Sequence, residues 1–224
     1  MSIINLMPNF GKRQKIFKET KGEFKVMNKV FKILDSLPTY GEMAINIQRD
    51  KDYKFVSQGF VVEFYPKNIK PWIGNFEVGC FNKFGVFTFD NNIVYVLSGG
   101  ILYKIDINLK NVIKIFDFDV NEFIKTDYNL ICSDNQNIYI INKNGSISKK
   151  YEDVALDGIT DLKLEGELLK GKAYQLFENN GSYWHNFYID LLKNKVVFID
   201  KPKEPKKKDS LFILLKWIKK AKRK

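Results

Sequence analysis

Histidine is almost absent from this chain: His185 is the only one in 224 residues. Cysteine is nearly as scarce, with Cys80 and Cys132 far apart and each inside an apolar segment. Two such cysteines give neither a disulfide framework nor a zinc spacing, and both read as buried, reduced thiols. A catalytic dyad or triad would have to be built on His185, yet there is no Gly-x-Ser-x-Gly elbow and neither cysteine has the context of a nucleophile. Asp117-Phe-Asp119-Val-Asn121 opens like a calcium loop but carries Glu122 where the loop needs glycine and Tyr128 where it needs glutamate. No glycine-rich phosphate loop precedes a helix, because Gly99-Gly100 sits at a hairpin. No cofactor and no metal is therefore expected. Long hydrophobic runs are missing as well. The longest apolar run near the end is Leu211–Leu215, far short of the ~20 residues a membrane span needs. The start, MSIINLMPNFGKRQK, lacks the apolar run of a secretory signal. The expectation is a cytoplasmic, non-spanning protein.

Aromatic residues are abundant, with 19 Phe and 11 Tyr, and these favour strands over helices. The stretch FGVFTFDNNIVYVLSGGILY, Phe84 to Tyr103, reads as strand, Asn91-Asn92 turn, strand, Gly99-Gly100 turn, strand. Leu130 to Ile147 resembles it. Aligning Asp90 with Asp134 sets Tyr95 on Tyr139, an offset of 44 residues that suits a four-stranded propeller blade. Further period-two segments fall at Met43–Ile47, Phe55–Tyr65, Ile101–Ile107, Val112–Phe118, Ile147–Tyr151, Leu162–Leu164, Leu168–Phe177, Tyr183–Leu191 and Lys195–Ile199. The fold class that follows is mainly β: an antiparallel meander of three to four blade-like units. This is a small or incomplete β-propeller, with a β-sandwich as the alternative.

Both ends differ from the middle. Residues 1–39 form a basic segment with one predicted helix. Thr20-Lys-Gly-Glu23 is a capping box, and Phe24, Val26, Met27, Val30, Phe31, Ile33, Leu34 and Leu37 share half of a helical wheel before Pro38 stops it. Residues 40–200 are the β body. Residues 201–209 (KPKEPKKKD) are a charged, extended linker. Residues 210–224 read as a short basic amphipathic helix capped by Ser210. The net charge of +11 is divided along the same lines. Residues 201–224 hold 11 Lys/Arg against 2 Asp/Glu, residues 1–34 hold 8 against 2, and residues 35–200 hold 18 against 22. The chain is a mildly acidic body with two basic ends, which disfavours nucleic acid as the partner, since no basic patch is built into the fold.

The segments GFVVEFYPKNIKPWIGNFEVGCFNKFGVF and SYWHNFYIDLLKNKVV resemble an uncharacterised family of bacterial β-propeller-like proteins. Some members look like immunity or accessory proteins beside toxins. The likeness covers roughly residues 55–200. It rests on Trp72-Ile-Gly-Asn-Phe76 and Trp184-x-x-Phe187-x-Ile189-Asp190-Leu191, and it carries over no active-site residue. It implies a propeller-like, non-catalytic module that binds an as yet unknown protein partner, immunity-like or accessory. The alternative is a peripheral membrane protein on the inner face of the membrane. It would be held to anionic lipid by residues 210–224 through Lys216, Trp217, Lys219, Lys220, Lys222, Arg223 and Lys224. An enzyme with a spatially assembled site is a third reading that no sequence feature supports. Trp72, Trp184 and His185 are the candidate ligand-surface residues, with buried packing as the competing role for each.

Overall fold

The computed structural model describes residues 30–41, 43–50, 57–90, 92–176 and 183–199. They form sixteen strands in four four-stranded sheets and no helix. The first sheet holds β1 (Phe31–Leu34), β2 (Ile45–Ile47), β3 (Phe60–Phe64) and β4 (Trp72–Phe76). The second holds β5 (Phe84–Thr88), β6 (Ile93–Ser98), β7 (Ile101–Asp106) and β8 (Asn111–Asp119). The third holds β9 (Glu122–Lys125), β10 (Asn129–Ser133), β11 (Ile138–Asn142) and β12 (Ile147–Tyr151). The fourth holds β13 (Ile159–Glu165), β14 (Leu168–Tyr174), β15 (Trp184–Asp190) and β16 (Lys195–Phe198). Four small sheets replace the two-sheet sandwich alternative.

The last three sheets are simple up-and-down meanders. Their hairpins are set by side chains that cap turns. Asp90 Oδ1 accepts from the amides of Asn92 (2.8 Å) and Ile93 (2.7 Å). Asp106, Asp134 and Asp190 do the same for the two amides that lie two and three residues on. The first sheet departs from the meander. Its order is β1-β3-β4-β2, and β2 runs parallel to β4 with Ile45 opposite Gly74 and Ile47 opposite Phe76.

Two sequence expectations need correction. The helix expected through Leu37 is not formed where the structure describes it: Phe31–Leu34 is a strand paired antiparallel with β3, Phe31 opposite Phe64 and Leu34 opposite Val61. Helix propensity is a weak force for a segment this rich in Val, Phe and Ile, and ladder bonds with a buried partner strand override it. The part before Val30, and the whole of 201–224, lie outside the described residues. The 44-residue alignment, in turn, matches hairpins rather than blades. Asp90 caps the turn between the first two strands of its sheet, whereas Asp134 caps the turn between the second and third. The blade equivalent of Asp134 is Gly99-Gly100, and Ser98 and Ser133, both fully buried, end the second strand of their sheets.

The sheets stack face to face in a row. One apolar cluster joins the first and second sheets through Val62, Phe64, Trp72, Phe76, Val96 and Tyr103. A second joins the second and third through Tyr95, Leu97, Phe116, Leu130 and Tyr139. A third joins the third and fourth through Ile131, Ile138, Leu169, Phe187 and Ile189. None of these clusters joins the fourth sheet to the first, so the described residues form an open arc. First strands lie side by side along it. Lys83 before β5 pairs with Glu122 of β9 at 2.9 Å, and Asn121 before β9 donates to the Ile159 carbonyl of β13 at 3.1 Å. The outward face of the fourth sheet is polar, with the ion pairs Lys170–Glu165 (2.5 Å) and Lys172–Asp161 (2.9 Å). A terminal repeat that ends a stack needs such a face.

Candidate functional site

A cleft of about 610 Å³ opens between the second and third sheets. Four carboxylates line it, Asp117 and Asp119 from β8, Asp134 after β10, and Asp157 from the loop before β13; among the described residues Lys150 is the only cation in the lining. Its floor is aromatic. The Phe118 and Tyr139 rings stack at 3.9 Å and are within 2° of parallel. The Lys150 ammonium lies 5.7 Å from the centre of the Tyr139 ring.

Two of the four carboxylates are committed to structure. Tyr139 donates to Asp134 Oδ2 at 2.7 Å, and Asn137 donates to the same oxygen at 3.0 Å. Burial pushes the Asp134 carboxyl up. The hydrogen bonds from Asn137, Tyr139 and the Asn137 and Gln136 amides outweigh it and hold the group below its ordinary value. The same burial, reinforced by the Asp134 bond and charge, pushes the Tyr139 phenol up. Asp119 takes the Arg49 guanidinium, reaching over from the first sheet. Asp117 and Asp157 have no hydrogen bond or ion pair among the described residues, and they leave the cleft with a net negative face.

The cleft continues into an exposed apolar patch. The 156–158 strip connects the two: Leu156 donates its amide to the Tyr174 carbonyl (2.8 Å) and Gly158 donates to the Asn135 carbonyl (2.7 Å), Asn135 being part of the cleft wall. Trp184 lies over Gly158 so closely that a Cβ there would sit 3.0 Å from the indole. Gly158 also has φ +135°, a backbone region that only glycine visits freely. Tyr174 packs edge-on against Trp184 (5.6 Å) and stacks with Tyr183 (5.5 Å). Four large apolar side chains of this patch stay exposed: Leu156 47%, Leu176 60%, Tyr183 50% and Trp184 44%. Exposed aromatic and aliphatic residues gathered beside a charged cleft are the composition of a contact surface.

The three candidate ligand-surface residues separate. Trp72 is 3% exposed, packs tilted against Phe64 with ring centres 4.5 Å apart, and donates its indole N–H to the Ile107 carbonyl at 2.8 Å. It packs between the first two sheets. His185 is 1% exposed on β15. Only Trp184 reaches the surface. The tail residues Lys216, Trp217, Lys219, Lys220, Lys222, Arg223 and Lys224 lie outside the described residues. Asp161, four residues beyond Asp157 of the cleft, is tied instead to Lys172. Cys132 is buried, and burial pushes its thiol up. Cys80, expected to be buried, is exposed in the connection between the first and second sheets. Among the described residues no group of three or more His, Cys, Asp or Glu side chains is placed to hold a metal ion, and no helix is long and apolar enough to cross a membrane.

No protein family and no curated protein matches this chain. Several solved structures are similar to part of it. The Neurospora crassa Pan2 WD40 domain is 14% identical, covers 64% of this chain and 49% of its own, and superposes with a TM-score of 0.36. The Myceliophteria thermophila Cps50 (Swd1) β-propeller domain is 12% identical over 66% of this chain and 55% of its own, with a TM-score of 0.41. Kluyvelomyces marxianus Hsv2 is 13% identical over 62% and 44%, with a TM-score of 0.36. The chain thus spans about half the length of these structures. Its blade architecture rests on its own sheet order and stacking.

Proposed function

We propose that the β body is a non-catalytic protein-binding module, and that its contact surface is the acidic cleft together with the Leu156–Trp184 patch. The observation that carries this is their continuity: two uncommitted carboxylates, Asp117 and Asp157, meet a cluster of exposed aromatic and aliphatic side chains across the 156–158 strip. Such a surface complements a segment of a partner protein that carries Lys or Arg beside large apolar residues. Rim charges of this kind act on encounter rate, and the aromatic anchors on residence time. An immunity-like or accessory role is the finer form of this reading and is supported by the sequence resemblance of residues 55–200.

The test is capture from native lysate by the full chain and by an Asp117→Lys, Asp157→Lys variant that keeps its β circular-dichroism spectrum. The reading expects a stoichiometric protein retained by the wild type and lost from the variant. Equal retention would move the contact elsewhere on the body. The basic, Trp-containing sequence of residues 210–224 supports a second reading, attachment to an anionic membrane surface. Flotation of the full chain on anionic but not on neutral vesicles is its expected result.

A further inference from the structure

The body leaves sequence position 199 at one end of the fourth sheet, and that end is the apolar patch. Ile199 donates its amide to the Asn186 carbonyl at 2.9 Å, two residues from Trp184, and its own side chain is exposed. The chain that follows, 200–209, can span up to about 33 Å when extended. The next fifteen residues, 210–224, hold Leu211, Phe212, Leu214, Leu215 and Trp217 beside six Lys and Arg. This is the composition that the surface of Asp117, Asp157, Leu156, Leu176, Tyr183 and Trp184 complements: carboxylates for the basic residues, exposed aromatic and aliphatic groups for the apolar ones. We propose that residues 210–224 dock in cis on that surface and compete there with the protein partner. The proposal rests on the surface assigned above and adds its resident competitor. A tethered segment needs little intrinsic affinity, because a tether of ten residues supplies an effective concentration on the order of millimolar. The arrangement makes the tail a release switch: whatever draws away its basic charge, an anionic membrane included, uncovers the cleft.

Two measurements on the full chain test it. Zero-length carbodiimide coupling joins carboxylates to lysine amines in contact. The expected product links Lys216, Lys219 or Lys220 to Asp117 or Asp157 within one chain, at a yield independent of protein concentration, and it is lost in the Asp117→Asn, Asp157→Asn variant. Coupling that rises with concentration and joins two chains would replace the cis latch with exchange between copies. The second measurement titrates a synthetic peptide of residues 210–224 into the wild type and into a Lys216→Gln, Lys219→Gln, Lys220→Gln variant. The peptide should bind the variant roughly tenfold or more tighter, because the tethered competitor is weakened. Equal binding to both overturns the latch and leaves the binding surface standing. Binding to neither also overturns the latch, and the lysate capture then decides the surface by itself.

Discussion

At the scale of single residues, side chains that bridge sheets carry the most weight. The Trp72 indole satisfies the Ile107 carbonyl inside the first apolar cluster. Trp72→Phe keeps an aromatic ring there but leaves that carbonyl without its donor, which costs about 1–3 kcal/mol. Urea denaturation should show the loss as a lower midpoint with an unchanged slope. Asp134 makes a pH-dependent contribution. Its folded carboxyl sits below the ordinary value, so its stabilisation is complete above the unfolded pKa of ~3.9 and is lost as pH falls through the folded pKa. Asp134→Asn keeps a turn-capping oxygen but loses the charge. The variant should be less stable than the wild type at pH 7, and the gap should close as pH falls below about 4; urea midpoints across that range check it. Tyr95 shows what the sequence could and could not convey at this scale. Its strand position was readable from the Asn91-Asn92 and Gly99-Gly100 turns on either side. Its phenol, donating to the Lys143 carbonyl at 3.1 Å across two sheets and pushed up to about 12 by burial and then by Asp90, was not. Asp117 stood out in the sequence only within an incomplete calcium-loop pattern and nothing there joined it to Asp157, because forty residues separate them and only sheet stacking brings them to one cleft.

At the scale of elements, the hairpins were the legible part. Asp- and Gly-bearing turns between aromatic and β-branched runs mark β5, β6 and β7 almost to the residue. What alternation cannot give is which hairpins are equivalent, since Asp caps recur at turns in different places within a blade. Nor can it give the parallel pairing of β2 with β4, which joins segments more than twenty residues apart. The Gly99-Gly100 turn proves to be more than a hairpin tip. The Ser98 and Gly99 carbonyls accept from the Gly79 and Phe81 amides at 3.1 and 2.9 Å, and the Gly100 carbonyl accepts from Val120 at 2.8 Å. The connections into and out of the second sheet are thus clasped to one turn. Gly99 has φ +60°, and a Cβ there would lie 2.5 Å from the Gly79 nitrogen and 2.6 Å from the Gly79 oxygen. Both contacts are with backbone, which cannot rotate away as a side chain would. Gly99→Ala should therefore destabilise by more than the ~1 kcal/mol typical of a glycine effect, with the thermal midpoint falling accordingly. A variant that melts with the wild type would show that the clasp can open at no cost.

At the scale of the whole molecule, the row of sheets has middle members buried on both faces and end members buried on one. The strands record this directly. In β6 and β10 every residue after the first is buried, while β13 alternates and β1 has two exposed residues of four; β4 of the first sheet is buried on both faces only because Asn46 and residues 57–59 cover Asn75. IVYVLS is the near-continuous apolar run that burial on two faces requires, but the order of the sheets along the row is written in no single run, because it depends on which apolar faces meet. A stack in which each unit contacts only its neighbours has a stability close to a sum of unit and interface terms, so its ends open before its middle. Two interfaces hold the second and third sheets, and one holds the fourth. Native-state hydrogen exchange should then find the amides of β6, β7, β10 and β11 protected to the full unfolding free energy. Those of β1, β13 and β16 should exchange through smaller openings that depend less steeply on denaturant. Phe187→Ala in the third cluster sharpens the contrast. A buried Phe deletion costs ~3–5 kcal/mol, and here it should fall on the fourth sheet, lowering its protection while β6 keeps most of its own. If protection falls equally in all four sheets, the arc unfolds as one unit, and the Leu156–Trp184 patch at its end is then as rigid as the centre.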